Sequence, residues 1–337
     1  MLSNMKYSKR IPRIGQGGMI IQEIGLSGRT LRIIYDCGTK SDKSIIKTEI
    51  RRLEKSIETI LIISHLHDDH INCIDILKLE KINITKVILP NMSEEEIRLC
   101  AATLDDPEIA GFVFRPEGYF SEARIIRIEN SDESGVENPI LSEMSGGEYS
   151  HSRNFMALSE ARMPSWAIRF YVNKAVYRDL KEAEKLLIGQ TSTVEDVQEH
   201  KNELIDIYNR ISGSNFNSSS MMAFLYPQFD PEYLLYCCCF FDCRCLIMCS
   251  GDIKISNTKI SDAIANHYEK QQHLITDVML PHHGGDEYFK ISPFPNMIRA
   301  YSQTGPSSIH KHPGQKTQML LDSLNVEFYN ITSNGLN

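Results

Sequence analysis

The sequence lacks a run of apolar residues long enough to cross a bilayer. Its most apolar stretch, residues 233–249, is interrupted by Asp242 and Arg244, whereas a membrane-spanning helix needs about 20 predominantly apolar residues. The first ten residues include basic side chains but no apolar segment of the kind that a secretory signal requires. These absences predict a cytoplasmic protein that does not enter a membrane.

The chain also lacks a surplus of basic residues. With 44 acidic and 36 basic side chains, its formal net charge is -8, which disfavours binding of nucleic acid by bulk electrostatic attraction. A nucleic-acid substrate stays open, because bound divalent metal ions and a few local cations can hold phosphates. The charge therefore disfavours one mode of binding without excluding a class of substrate.

Cysteine pairs with the spacing of a zinc finger are missing, although the chain has nine cysteines and six of them lie between Cys237 and Cys249. Three are consecutive and would alternate across a strand, and no second pair follows Cys243 and Cys245 at a suitable distance. Unpaired cysteine behaves as a small, readily buried apolar residue. We therefore expect the cysteines to pack in the core.

The pattern of strands and helices predicts an α/β protein. At 337 residues and 42% hydrophobic content, the chain can bury a full-sized core. Residues 1–90 and 215–337 are rich in strand-like runs with helical segments between them, and much of residues 91–214 is polar and helix-prone. We predict a four-layer αββα sandwich, with residues 91–214 as a partly helical insertion that shapes the cleft.

Several elements of this sandwich can be placed from local patterns. Apolar runs at Met19–Ile24 and Leu31–Tyr35, separated by glycines, predict a hairpin. Helical spacing predicts a helix over residues 43–57 and another at Ile74–Leu79. In the second half, the same reasoning predicts strands at residues 220–226, 233–241, 245–249 and 278–280, and a helix at residues 260–273.

Four metal-binding side chains, His65, His67, Asp69 and His70, follow the apolar run Ile60–Ile63. Three imidazoles and a carboxylate suit zinc, and also manganese or iron when oxygen ligands contribute. Alternate residues of an extended segment point to one side, so the first three side chains can converge while His70 turns toward a second ion. The alternative is a polar loop with hydrogen-bonded histidines, but so many ligands in one loop favour a metal site.

This run resembles the HxHxDH signature of the metallo-β-lactamase superfamily, whose motif also follows an apolar strand. The resemblance implies that His65 and His67 bind one metal ion and that Asp69 and His70 bind a second. It also implies that Asp36 supports the motif loop through hydrogen bonds without binding metal, as expected around a metal site.

Asp252 follows an apolar strand in the tripeptide Ser-Gly-Asp and resembles the carboxylate that bridges both metal ions in this superfamily. Considered alone, this tripeptide would be interpreted as an ordinary Gly-Asp turn. Downstream, Pro281–Gly285 resembles the Pro-His-His-Gly element in the metallo-β-lactamase domain of ComEC-type DNA-uptake proteins and their stand-alone relatives. One of its histidines is then expected to bind the second metal. We favour His282, which comes first after the strand, and His283 is the alternative.

Two further segments resemble the same branch, and the resemblance covers residues 12–90 and 215–335. Asn217–Ser220 is similar to its Asn-x-x-Ser element, and His312 with the following proline is similar to its late His-Pro segment. His312 could orient a phosphoryl oxygen or protonate the leaving oxygen. His310 is a second candidate for this role, and both histidines could instead be exposed loop residues.

One position of the superfamily pattern has no clear counterpart. Many of its hydrolases have a further metal-binding histidine between the first motif and the bridging aspartate, and here only His151 and His200 lie in that interval. His200 lies in a charged helical stretch and is expected to face solvent. His151 is therefore the candidate, and otherwise water would complete the first metal site or the ion would be held loosely.

Together these residues predict a dinuclear metal-dependent hydrolase that binds two divalent metal ions, zinc or manganese. Two such ions can convert a bridging water to hydroxide near neutral pH, so a serine or cysteine nucleophile is not needed. We predict catalytic roles for Asp69, Asp252 and His312. The first hypothesis is a phosphodiesterase, with DNA or RNA among its substrates. The alternatives are a lactone, thioester or lactam hydrolase and a non-catalytic, metal-stabilised binding module.

Overall fold

The protein was analysed as a computed structural model that describes most of the chain, namely residues 6–26, 28–129, 141–142, 148–150, 154–158, 165–172, 180–212, 220–228, 246–305, 312–333 and 335–336. The predicted strand at residues 233–241 lies outside these ranges, as do five of the nine cysteines. The cysteines within them are free and buried, as expected for core packing: Cys37, Cys73, Cys100 and Cys249.

The first sheet contains the strands β1 (Lys6–Arg10), β2 (Gly17–Leu26), β3 (Arg29–Thr39), β4 (Glu58–Ile62), β5 (Ile84–Pro90), β6 (Arg124–Ile128), β7 (Leu141–Ser142) and β8 (Glu148–Ser150). Their spatial order is β1-β2-β3-β4-β5-β6-β8-β7. The predicted hairpin is the antiparallel pair β2–β3. From β3 through β6 to β8 the strands run parallel, so their carboxyl ends meet at one edge of the sheet.

The second sheet contains the strands β9 (Asn154–Leu158), β10 (Ser165–Val172), β11 (Met221–Gln228), β12 (Ile247–Cys249), β13 (Asp277–Met279), β14 (Arg299–Gln303), β15 (Glu327–Thr332) and β16 (Gly335–Leu336). Neighbours in sequence are neighbours in space throughout this sheet. The strands from β12 to β15 are parallel and the outer strands are antiparallel. Both sheets are therefore mixed.

Helices cover the outer face of each sheet. Those on the first sheet are α1 (Lys43–Arg51), α2 (Asp68–Ile71), α3 (Ile74–Leu79), α4 (Glu94–Ala102), α5 (Pro107–Phe114), α6 (Pro116–Tyr119), α7 (Glu182–Gln190), α8 (Val194–Glu199) and α9 (Lys201–Ser212). The second half of the chain contributes α10 (Thr258–His267), α11 (Gln315–Ser323) and 3-10 turns at Glu269–Leu274 and Pro281–Gly284. Among the described residues, no helix combines the length and apolar character that crossing a bilayer demands.

Adjacent apolar residues of the first sheet alternate between two cores, as the two-residue period of a strand requires. One set packs against the second sheet and includes Ile20, Ile33 and Ile62, while their neighbours pack under the helices and include Ile21, Ile34 and Leu61. On the far side, Ile264 of α10 and Leu321 of α11 pack on the second sheet. The four layers confirm the predicted αββα sandwich, an arrangement consistent with the metallo-β-lactamase fold.

Residues 91–214 differ from a simple insertion in what they contribute to the sandwich. They supply β6, β7 and β8 to the first sheet and β9 and β10 to the second, in addition to helices α4 to α9. The polar, helix-rich part of this segment covers the first sheet, where Leu204 and Ile207 of α9 are buried. The described part of the segment therefore contributes to both sheets as well as to the helices that cover the first one.

Candidate metal centre

The loop after β4 presents the first histidines, and its conformation explains why the side chains converge. The chain stays extended up to His67, which occupies the N-cap position of α2. Alternate residues of an extended segment lie on the same side, so the side chains of His65 and His67 face the same point. Within α2 the chain then turns, and Asp69 and His70 face a neighbouring point. Both are buried.

A first cluster consists of His65, His67 and Asp252. The Nε2 atom of His65 lies 3.0 Å from Nδ1 of His67 and 3.6 Å from Oδ2 of Asp252. One ligand atom from each residue lies within 4.8 Å of the other two. Two imidazole nitrogens and one carboxylate oxygen facing a common point form a donor set that fits a divalent cation.

A second cluster consists of Asp69, His70 and His283, with the same mutual spacing of ligand atoms. Nε2 of His283 lies 3.2 Å from Oδ2 of Asp69. Nε2 of His70 is buried and makes no hydrogen bond, although Oδ1 of Asp252 lies 3.4 Å away. A buried nitrogen that makes no hydrogen bond and faces a carboxylate fits a position next to a cation.

Asp252 lies between the two clusters. While its Oδ2 faces His65, its Oδ1 lies 3.4 Å from Nε2 of His70. The aspartate follows β12 in a turn that begins with Gly251 at a positive φ of 55°, and its backbone N–H donates to Oγ of Ser220 at 3.2 Å. Ser220 ends the predicted Asn-x-x-Ser element, whose other three residues lie outside the described ranges.

Asp36 on β3 forms hydrogen bonds with the loop that follows β4 and belongs to neither cluster. Its Oδ1 accepts the backbone N–H of Ser64 at 2.7 Å, and its Oδ2 accepts the Ser64 hydroxyl at 2.7 Å and lies 2.8 Å from Nδ1 of His70. The Ser64 hydroxyl oxygen lies 2.9 Å from Nδ1 of His65. Asp36 thus orients His70 directly and His65 through Ser64, leaving the Nε2 atom of each ring directed at the clusters.

Two glycines on the hairpin allow the loop to lie this close to the sheet. A Cβ atom on Gly18 would lie 2.6 Å from Nδ1 of His70, and one on Gly38 would lie 2.6 Å from the backbone nitrogen of the same residue. Such approaches are far inside van der Waals contact, so any larger side chain would displace α2 from the sheet.

Charge in the site is balanced between histidines and carboxylates. Burial lowers the pKa of His65 and of His67, so both rings are neutral and can act as ligands at neutral pH. Burial alone would raise the pKa of Asp252, but His282, His70 and His65 hold it well below its usual range. For His70, the carboxylates of Asp252 and Asp36 outweigh burial and raise its pKa. A cation at the second cluster would take the place of that proton.

The structure separates the two adjacent histidines of the Pro-His-His-Gly element. Both have left-handed backbone angles, with φ of 48° at His282 and 55° at His283, and the sharp turn sends the two rings in different directions. His283 joins the second cluster, whereas His282 lies outside both, with its ring 4.0 Å from that of Tyr288 and 5.1 Å from that of His312. The structure therefore places His283, and not our first choice His282, in the second cluster.

The remaining candidates are placed as follows. His312 lies beside the second cluster, with its ring centroid 6.3 Å from that of His283. His200 lies between α8 and α9, is half-buried and takes part in neither cluster. His151 and His310 lie outside the described residues.

Sequence reasoning missed Tyr208. Its hydroxyl oxygen lies 2.6 Å from Nε2 of His67, although the two residues are 141 positions apart. Tyr208 lies on the same amphipathic helix as Leu204 and Ile207, where a tyrosine at helical spacing is read as a packing residue. No local signal distinguishes it.

Comparisons with known proteins were made for the whole chain. No protein-family model and no curated protein matches the sequence. One similar solved structure is that of a protein characterised as the first B3 metallo-β-lactamase with an active-site glutamic acid. It shares 10% identity over 95% of this chain and 90% of its own, with a TM-score of 0.32. The assignment of the sandwich rests on the strand order and layers described above.

Proposed function

We propose that this protein is a dinuclear metal-dependent hydrolase of the metallo-β-lactamase superfamily. The observation that supports this best is the position of Asp252, whose two carboxylate oxygens face different clusters, at 3.6 Å from His65 and 3.4 Å from His70. A carboxylate shared in this way holds two cations at a short separation and partly offsets their mutual repulsion. The first cation would be held by His65, His67 and Asp252, and the second by Asp69, His70, His283 and Asp252.

When bound, two divalent ions would supply acidified water and would neutralise charge that develops on the reacting group. The donor set, with four imidazoles and two carboxylates, suits zinc and accommodates manganese. The protein's own contribution is to fix the donors. Asp36 and Ser64 orient two of the imidazoles, and Gly18 and Gly38 let the loop lie against the sheet.

We further propose that the substrate is a phosphodiester, with single-stranded or small nucleotide substrates preferred over duplex nucleic acid. A cavity of about 690 Å³ opens beside the second cluster and is lined in part by His282, His312 and Tyr288. The exposed acidic residues Asp286 and Glu287 also line it. These carboxylates repel a polyanion, so a phosphate would depend on the bound cations and on the imidazoles for its attraction.

His312 is suited to act on the leaving group from this side of the site. Its ring lies next to those of His282 and His283, at the boundary between the cavity and the second cluster. An imidazole placed there could hold a phosphoryl oxygen or pass a proton to the departing oxygen. The resemblance of the late His-Pro segment to ComEC-type proteins supports the same role.

The test is a substrate panel on protein loaded separately with zinc and with manganese. The panel contains single-stranded DNA, duplex DNA, RNA, cyclic nucleotides and a generic chromogenic phosphodiester. It also contains three acyl compounds, namely a lactone, a thioester and a lactam. We expect turnover of phosphodiesters that is lost in Asp252→Asn and kept in Asp262→Ala, whose carboxylate is exposed on α10. Turnover of the acyl compounds alone would replace the phosphodiesterase proposal, and metal binding with no turnover would favour a binding module.

A further inference from the structure

The three histidines of the motif share a structural requirement that only two of them meet through partners in the loop or in β3. An imidazole that binds a cation through one nitrogen must carry its proton on the other, and a hydrogen-bond acceptor at that second nitrogen fixes both the tautomer and the ring orientation. For His70 the acceptor is Asp36, and for His65 it is Ser64. His67 lacks such a partner in its own loop or in β3.

The partner of His67 comes from helix α9 instead. Nδ1 of His67 is the nitrogen that faces the first cluster, because it lies 3.0 Å from Nε2 of His65. Nε2, on the opposite side of the ring, lies 2.6 Å from the hydroxyl oxygen of Tyr208. The tyrosine ring stands edge-on to the imidazole, with 6.3 Å between centroids. The hydroxyl oxygen is therefore placed to accept a hydrogen bond from Nε2–H, which leaves Nδ1 free for a cation.

We infer that Tyr208 is a positioning residue of the first metal site, an inference that rests on the proposed metal centre. It holds His67 in the Nε2-protonated form with Nδ1 directed at His65 and Asp252. Among the described residues, this cluster has only two histidines, so a correctly oriented His67 makes up a large share of the binding strength. Tyr208 thereby links the helical segment of residues 180–212 to the metal centre.

The surroundings of Tyr208 are consistent with an acceptor that keeps its own proton. Burial raises the pKa of the Tyr208 hydroxyl far above its usual value, so it remains a neutral phenol at physiological pH. The neighbouring residues Leu204 and Ile207 are buried against the helices that cover the first sheet. The packing fixes α9, and with it the hydroxyl, relative to the loop after β4.

The deciding experiment measures metal binding to Tyr208→Phe, which removes the hydroxyl and keeps the ring. Zinc titrations against a competing chelator should resolve two binding steps in the unchanged protein. In Tyr208→Phe we expect one step to weaken by roughly tenfold to a hundredfold, the usual effect of removing an outer partner of a metal-binding histidine, while the other step changes little. Tyr329→Phe is the matched control, since it removes a hydroxyl bonded to Glu327 in the second sheet.

Two further measurements separate positioning from packing. In nitrogen-15 spectra of the imidazoles, His67 should be in the Nε2-protonated form in the unchanged protein and should populate both tautomers in Tyr208→Phe. The Tyr208→Phe effect on binding should also disappear in a His67→Ala background, because the coupling runs through that ring. The unchanged protein, the two single variants and the double variant form a double-mutant cycle. The cycle remains informative even if Tyr208→Phe is less stable, because the stability of all four proteins is also measured without metal.

Unchanged zinc binding and an unchanged His67 tautomer in Tyr208→Phe would overturn the inference. So would a tyrosinate absorbance change on metal addition that is lost in Tyr208→Phe, because it would make Tyr208 itself a ligand. All these readouts are independent of turnover. If the protein binds two zinc ions as described but hydrolyses nothing on the panel, the proposed activity fails while the role of Tyr208 stands.

Discussion

Replacing Asp252 by asparagine is the most direct perturbation of the two-cation arrangement. Asparagine keeps the size of the side chain, so the buried space between the clusters stays filled, but it removes the charge and one strong donor. Asp252 is ionised at neutral pH, because His282, His70 and His65 hold its pKa well below its usual range despite burial. The substitution would therefore remove a full negative charge from between the two proposed cation positions.

The size of the effect follows from the geometry. Loss of a hydrogen-bond partner of a metal-binding histidine typically weakens metal binding tenfold to a hundredfold. In the proposed centre Asp252 would be a direct ligand to both ions, since its two carboxylate oxygens face different clusters. We therefore expect at least a hundredfold weaker binding at each position. At about 1.4 kcal/mol for each factor of ten, this is about 2.8 kcal/mol per ion. Hydrolysis should fall to the background rate, and Asp252→Ala should behave in the same way.

The fold should survive this change. The backbone N–H of residue 252 still donates to Ser220, and His70 keeps its hydrogen bond with Asp36. Circular dichroism and thermal unfolding without metal should resemble those of the unchanged protein. Metal content after dialysis and initial rates are the decisive measurements, with Asp262→Ala as the control. Two tightly bound ions or full activity in Asp252→Asn would refute the bridging role.

Three further predictions test other parts of the site. His312→Ala should keep both metal ions while turnover falls by roughly a hundredfold or more, the scale of general acid-base assistance, and loss of metal would instead make His312 a ligand. Gly18→Ala should weaken metal binding and lower the stability of the loop, because the added Cβ would lie 2.6 Å from Nδ1 of His70. Titration calorimetry measures metal binding, and thermal unfolding measures stability. Removal of metal by a chelator should lower the melting temperature, since ions at a hundred times their Kd stabilise the folded state by about 2.7 kcal/mol. An unchanged melting temperature would contradict metal binding to the folded protein.

The sequence by itself determined the parts of this protein that depend on short spacings. Two apolar runs separated by glycines predicted the hairpin β2–β3. The two-residue period of a strand is also the reason that Ile20 and Ile21 lie in different cores. The alternation of His65 and His67 in an extended segment made them converge. Both features can be predicted without knowledge of the fold, because they depend on the backbone geometry of only a few residues.

Only the tertiary structure decided which of two adjacent histidines joins the second cluster. The choice depends on left-handed backbone angles at both positions, which L-amino acids adopt only where surrounding contacts hold them. Such contacts come from other elements: the N–H of His282 donates to the carbonyl of Gly251, and Ser302 Oγ donates to the carbonyl of His283. The spacing of residues along the chain does not predict these contacts.

The contact of Tyr208 with His67 and the strands within residues 91–214 likewise depend on packing. Tyr208 reaches His67 across 141 positions because α9 packs beside the metal-binding loop on the first sheet. Strand β10 pairs along its whole length with β11, nearly fifty residues later in the chain. Contacts at such separations depend on how whole layers dock, and that docking is governed by the buried surfaces of both sheets together.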